Sequence, residues 1–294
     1  MLQNITATQL RLALAIAWLS IVLLNPQPWL LIVEYGAFAF LGVLGAIFAN
    51  ATGAGGGVVF VPFFNQLNFD SNTTVATSIA IQCCGMTAGA LTWWWYYKSN
   101  QQNNADWQEI GRSLKLTVPL SILGIWLAQA AQFIDGGVGE AERLHSFFGV
   151  FSILLALSIF ASIPLLKKET FKQSFDKIDS VALPLIALFG GAITAYLSIG
   201  VGELIAVYLI MRRFNVTFAI AVAVILSAFS VWAGVGFHAL VLSSVYWPVV
   251  LFAGAGAIIG GMLAKYVVLY FSATNLKVFF AGWVLLLGIS AMPY

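Results

Sequence analysis

Gly53-Ala54-Gly55-Gly56-Gly57-Val58-Val59-Phe60-Val61-Pro62 is a glycine cluster set between two apolar runs. A weaker echo stands later in the chain, at Ser198-Ile199-Gly200-Val201-Gly202-Glu203. The offset that lays Ser198 under Gly53 also lays Phe214 under Phe69, Ala221 under Ala76 and Gly234 under Gly89. One unit is therefore read twice. In a helix interior each glycine costs about 1 kcal/mol relative to alanine. So dense a cluster marks a place where the backbone turns tightly, approaches another element closely or leaves N–H groups free for a ligand. Breaks at matching places in two halves of an apolar chain point to the binding site of a secondary transporter.

The composition agrees. With 61% hydrophobic and 8% charged residues and a mean hydropathy of +0.95, the chain has too little polar surface to cover a soluble globule. It reads as an all-α polytopic membrane protein. At about 20 apolar residues per crossing, its 294 residues leave room for short loops and no separate soluble domain. The two cysteines, Cys83-Cys84, are neighbours in an apolar run with no second pair or nearby histidine. They read as buried thiols, and neither a metal nor a cofactor is expected. No small-residue cleavage site follows the first apolar run, so no cleavable signal is expected.

Four regions follow: an N-terminal helix and connector over 1–35, repeat 1 over 36–166, a polar loop over 167–180 and repeat 2 over 181–294. Arg11 to Leu24 is a short apolar segment stopped by Asn25-Pro26-Gln27-Pro28. In repeat 1, a run from Trp29 to Asn50 leads into the glycines, and a short piece, Val58 to Phe64, leaves them. Three spans come next, Thr73–Tyr97, Ile110–Phe133 and Leu144–Leu166. The first closes in Trp93-Trp94-Trp95-Tyr96-Tyr97-Lys98, which reads as an interfacial aromatic belt. Repeat 2 runs Val181–Leu197, the Gly200-Val201-Gly202 break, Leu204–Met211, and spans near Asn215–Leu240, Tyr246–Tyr270 and Asn275–Ser290.

Lysine and arginine in short loops mark the cytoplasmic side. Lys167, Lys168, Lys172 and Lys177 put the central loop, and with it the N-terminus, inside. Equivalent loops then differ in sign. The loop after the short piece has Arg212-Arg213 only in repeat 2; the next has Lys98, Arg112 and Lys115 only in repeat 1; the last is acidic in repeat 1, with Asp135 and Glu140, and carries Lys277 in repeat 2. The repeats are thus expected to be inverted across the membrane. Inversion requires an odd number of crossings per copy, which favours a helical hairpin, crossing or re-entrant, with its glycine tip at membrane depth.

If each short piece is a helix, its free N–H groups and positive dipole end lie at the tip and suit an anion without any lysine or arginine. Gly53, Gly55, Gly56, Gly57, Gly200 and Gly202 are then the backbone of an anion cradle. Asn50, Thr52, Gln82 and Ser198 are candidate hydrogen-bond donors to an oxyanion, although amides and hydroxyls also join helices. The same close-packing reading is preferred for Gly89 and Gly234. Glu203 is the sharpest residue, because an intramembrane acid is a functional candidate by default. It could carry a proton in exchange with an anionic substrate, or it could be a carboxylate exposed at an aqueous vestibule or one capping its helix N-terminus; repeat 1 has Val58 in that place. His145 and His238 read as interfacial, and Pro62 as shaping the short helix.

These residues resemble the sulfite exporter TauE/SafE family of bacterial membrane permeases. The resemblance rests on Gly53-Ala54-Gly55-Gly56-Gly57 with Val61-Pro62, on Val75-Ala76-Thr77-Ser78 and on Gly200-Val201-Gly202-Glu203, and covers most of the chain after residue 35. Repeat 2 departs from the pattern, with Val201 inside the glycine cluster and Val207 in place of the proline. The resemblance implies a multi-pass protein of the bacterial inner membrane, a secondary transporter exporting sulfite or an organosulfonate such as sulfoacetate. Its expected partners are the small anion, protons and the lipid bilayer, with a homodimer possible and no nucleic acid. An anion channel is the alternative. A membrane enzyme or assembly factor fits less well, since the spans hold no catalytic triad, no HExxH and no long docking loop.

Overall fold

The structure, a computed structural model, describes residues 7–134, 141–164 and 171–290. Every element among them is helical. Two short helices, α1 (Ala7–Leu23) and α2 (Pro28–Tyr35), meet at a bend of 114°. Then come α3 (Phe38–Thr52), α4 (Gly57–Gln66), α5 (Ser71–Tyr96), α6 (Ile110–Ile134) and α7 (Ala141–Ser162). After the central loop stand α8 (Lys177–Leu197), α9 (Val201–Met211), α10 (Val216–Gly236), α11 (Trp247–Tyr270) and α12 (Ala273–Ser290). Five helices among the described residues are long and apolar enough to cross a membrane, or six if α1 and α2 form one bent span. This is an all-helical, multi-pass membrane protein.

The element order repeats down to single residues. Gly53 ends α3 at φ 80° and Ser198 ends α8 at φ 61°, both left-handed. Asn68 and Arg213, at φ 58° and 67°, turn the chain after α4 and α9. In each turn a phenylalanine N–H returns to the short helix, Phe69 to the Phe64 carbonyl and Phe214 to that of Leu209. Asp70 caps α5 and Asn215 caps α10, accepting from N–H groups of the first turn. A π-helical turn extends each helix at its far end, Tyr97–Gln101 and Phe237–Val241.

The two halves interlock. α3 packs along α11, and α8 along α6. Gly256 and Gly260 let α11 touch the α3 carbonyls of Ala39 and Val43, while Gly191 rests on the α6 carbonyl of Ser121. Small residues allow such backbone approach in membrane bundles. α5 and α10 form the centre: 72% and 78% of their apolar windows are buried, against 33–50% for the other spans. They run antiparallel. Near the start of α5, Thr77 accepts from the N–H of Tyr246, beyond the end of α10. Past the end of α5, Trp107 packs on Phe218 at the start of α10, with ring centroids 6.0 Å apart.

The two ends of this central pair differ. At the end where α4 finishes, Phe64 stacks on Phe69 and the Tyr35 and Tyr246 hydroxyls are 2.7 Å apart. At the other, where α9 finishes, Asp179 is fully buried and accepts from Arg212 Nε (2.7 Å), the Tyr208 hydroxyl (2.8 Å) and Lys172 Nζ. Asp176 beside it accepts from Lys172 and Arg212, and the Lys172 hydrogen bond holds its carboxyl well below the usual aspartate range. The loop before α6 joins this end through Asn215 to Asp106 and Gln108 to the Gln173 carbonyl.

Several local expectations are revised. The run from Trp29 to Asn50 is split between α2 and α3, with Tyr35 and Phe38 stacked at the junction. α8 begins at Lys177, ahead of the apolar run, because Asp176 and Asp179 cap each other's N–H groups. The aromatic belt divides by helical phase: Trp93 is buried, while Trp95 faces outward and Lys98 lies over the Trp94 ring. His238 is not interfacial but buried, with no hydrogen-bond partner among the described residues. Asp135, Glu140, Lys167 and Lys168, which bear on orientation, lie outside the described residues, as do the side chains of His145 and Lys277.

Candidate functional site

The sequence reading places both glycine breaks beside one ligand site, and the structure brings the breaks into contact with each other. Each tip follows a helix that ends in left-handed conformation and precedes a short helix whose first N–H groups lack intrahelical partners. A Cβ on Gly57 would collide with the carbonyl oxygen of Ser198; one on Gly202 would collide with that of Gly53. These contacts are equivalent under the repeat. At Gly57 and Gly202 glycine is therefore required by close approach rather than by its own dihedrals.

Gly200 is the exception. At φ 143° it adopts a conformation that side-chain-bearing residues rarely enter, and its N–H turns toward Glu203. The Glu203 carboxylate is 2% exposed and bridges the two halves. The Gly55 N–H donates to its Oε1 at 2.6 Å, and the Gly200 N–H donates to its Oε2 at 2.8 Å. The second bond is one arm of a capping box closing α9 on itself; the first reaches the opposite tip. Among the described residues no lysine, arginine or histidine shares these bonds.

Gln82 on α5 is a second bridge. Its Oε1 accepts from the Gly56 N–H at 2.7 Å, and its Nε2 donates to Ser198 Oγ at 2.7 Å and to the Ser198 carbonyl at 3.1 Å. The amide orientation is imposed by its partners, since one side presents a donor and the other a carbonyl acceptor. Ser198 Oγ passes its own hydrogen to Ser78 Oγ at 2.8 Å. Thr194 accepts from the Val201 N–H at 3.0 Å.

Of the residues singled out from sequence, the structure gathers Gly53, Gly55, Gly56, Gly57, Gln82, Ser198, Gly200, Gly202 and Glu203 at one buried crossing. Thr52 borders it: its hydroxyl donates to the Phe48 carbonyl of its own helix and accepts from the Ala54 N–H at 3.3 Å. Asn50 stands apart, donating to the Ala46 and Gly85 carbonyls where α3 meets α5, and its side chain fills the space a Cβ on Gly89 would need. Gly89 is thus a packing glycine, whereas Gly234 has only Ile125 and Gln129 within ordinary contact.

A profile of the sulfite exporter TauE/SafE family matches residues 38–291, from the first residue of α3 to just beyond α12. The chain belongs to the sulfite exporter TauE/SafE family. The match spans both tips and leaves out only α1, α2 and the last residues. No curated protein and no solved structure matches the chain. Membership makes the protein a membrane transporter of a sulfite and anion exporter family.

Ser78 and Ser227 also border the crossing and were not among the candidates read from sequence. Ser227 on α10 is 3% exposed, its hydroxyl has no hydrogen-bond partner among the described residues, and it lies against Gly202, where an added Cβ would strike it. The signal was available: the repeat offset that aligns the tips lays Ser227 under Gln82. One equivalent position thus holds a bridging amide and the other a free hydroxyl.

Proposed function

We propose that this TauE/SafE-family transporter moves a small sulfur oxyanion, sulfite or an organosulfonate such as sulfoacetate, across the bacterial inner membrane by proton-coupled alternating access. The observation that carries the reading is the crossing of the tips: backbone N–H groups of Gly55, Gly56 and Gly200 converge in a buried place and are met by a carboxylate and an amide oxygen. Oxygens of an oxyanion present the same acceptors to such donors. Ser198 and Ser227 add hydroxyls, and Glu203 is the proton-coupling group. Asn50 and Thr52 support the helices around the site.

Alternating access is proposed to act between two inverted repeats, 36–166 and 181–294. The antiparallel run of the equivalent helices α5 and α10 supports inversion, as does the opposite placement of the α4 and α9 C-termini. Gathering of Lys172, Arg212 and the loop before α6 at one end supports a cytoplasmic side there, with the N-terminus on the same side.

The decisive measurement is sulfite flux into proteoliposomes with and without an imposed pH gradient. Accumulation beyond the passive distribution of anion and neutral acid is the expected result. Protein-dependent flux that only dissipates gradients would make the protein a channel. Absence of flux in verified proteoliposomes, repeated with sulfoacetate, would overturn the oxyanion assignment.

A further inference from the structure

The carboxylate of Glu203 already stands in the place that the proposed function gives to the substrate. Both its oxygens are engaged, one by the Gly55 N–H of one tip and the other by the Gly200 N–H of the second tip. A carboxylate and a sulfur oxyanion share the feature recognised here, two anionic oxygens on one centre. Charge-assisted bonds to backbone N–H groups are the strong class of hydrogen bond, and these donors cannot serve two anions at once. The site also holds a polar group that this arrangement leaves unused, the buried hydroxyl of Ser227 against Gly202.

We infer that Glu203 is a tethered competitor of the transported anion. Ionised, it bridges the two tips and excludes the substrate; protonated, it releases Gly55 and Gly200, and the anion takes those N–H groups together with the Ser227 hydroxyl. The proton comes from water on the side to which the site is open and stays on the carboxyl oxygen while the anion is bound. One proton is therefore bound with each anion, so the two are carried together and not in exchange. This rests on the anion-transport reading above and adds to it the reason for coupling: substrate and ionised Glu203 cannot be bound to the same donors.

Among the described side chains, no other ionisable group in the neighbouring elements competes for this role; α12, which packs beside the tips through Ala281 and Val284, has Lys277 as its one charged residue, and that side chain lies outside the described ones. α3, α4 and α10 carry none, and neither does α7 from residue 147 onward. α5 contributes only Cys83 and Cys84 near the site, with Tyr96 at its far end. On α8, Lys177 and Asp179 lie at the end remote from Ser198, and Tyr196 is 40% exposed. On α9, Tyr208 and the adjoining Arg212 are bound to Asp179 at the opposite end of the helix from Glu203.

The test is equilibrium binding of methanesulfonate, whose charge is constant over the range, to the purified full chain from about pH 5 to about pH 8. In the native protein the affinity should fall with rising pH, approaching about tenfold per unit once the carboxyl is ionised, as one linked proton requires. In Glu203→Ala it should be independent of pH and, at the alkaline end, at least about tenfold tighter, the loss of competing charge-assisted bonds being worth that much. Glu203→Gln, which retains one acceptor and cannot ionise, provides the second case and should also be flat. Native binding that ignores pH, or variants that keep the native pH dependence or bind more weakly at alkaline pH, would overturn the competitor role while leaving an anion site. Folded native and variant proteins that bind neither methanesulfonate nor sulfite at any pH would overturn the anion reading itself, and this inference with it.

Discussion

The two tips share a backbone and differ in how they are completed. Tip 2 is largely self-sufficient: Gly200 N–H is closed by Glu203 three residues on, and Val201 N–H by Thr194 of the preceding helix. Tip 1 depends on groups from elsewhere, Gly55 N–H on Glu203 of the other half and Gly56 N–H on Gln82 of α5. The far ends of the short helices diverge as well. α4 finishes in an aromatic cluster around Phe64, Phe69 and Tyr246; α9 finishes in the ion cluster of Arg212, Lys172, Asp176 and Asp179. Repetition built a scaffold with near-equivalent halves, and side-chain divergence then made one half the source of charge and the other its recipient. The proposed proton coupling needs only one titrating group per site, and Glu203, present in one half alone, would be that group.

The largest effect is expected where the halves are still equivalent. Gly57→Val and Gly202→Val each drive a side chain into a carbonyl oxygen of the opposite tip, which no rotamer relieves. Each should cost about 3 kcal/mol or more, seen as loss of a monodisperse peak in size-exclusion chromatography. A well-folded variant at either position would break the paired-tip geometry.

An intermediate effect is expected at the ionic end, which has no counterpart at α4. Asp179→Ala leaves Lys172 and Arg212 without their buried partner. Removing one member of a buried pair costs 3–5 kcal/mol, and because both cations reach water, about 2 kcal/mol is expected here, read as a lower thermal midpoint in detergent. Asp176 sets the pH dependence. Its folded carboxyl titrates below the unfolded value, so its stabilisation is fully present above the ordinary aspartate range near about pH 4 and is lost as the pH falls below it. The midpoint of the native protein should drop more steeply on acidification than that of Asp176→Asn.

The smallest effects sharpen the contrast between equivalent positions. Gln82→Ala strands the buried Gly56 N–H and should cost about 1 kcal/mol. Ser227→Ala removes a hydroxyl that bonds to no described residue and should change stability by no more than about 0.5 kcal/mol. If Ser227 serves the anion, that variant should nevertheless weaken methanesulfonate binding at the acidic end by about fivefold, the worth of one hydrogen bond. A stability loss as large as that of Gln82→Ala would instead make Ser227 a structural partner.

Much of this was legible in the chain alone. Apolar runs of sufficient length and the scarcity of charge determined the membrane class. The clustered glycines and their echo determined where the helices break, because glycine density is a local backbone property. The repeat offset located equivalent residues, including Ser227, whose significance was not read. What the chain could not state was the pairing: that Gly55 meets Glu203 across 148 positions, that Gln82 spans both tips, and that Asn50 turns toward Gly89 instead. Nor could composition separate Trp93 from Trp95, or bring His238 inside. Those outcomes depend on which face of a uniformly apolar helix turns inward, and with no polar face to mark it, only the packing of neighbouring helices decides.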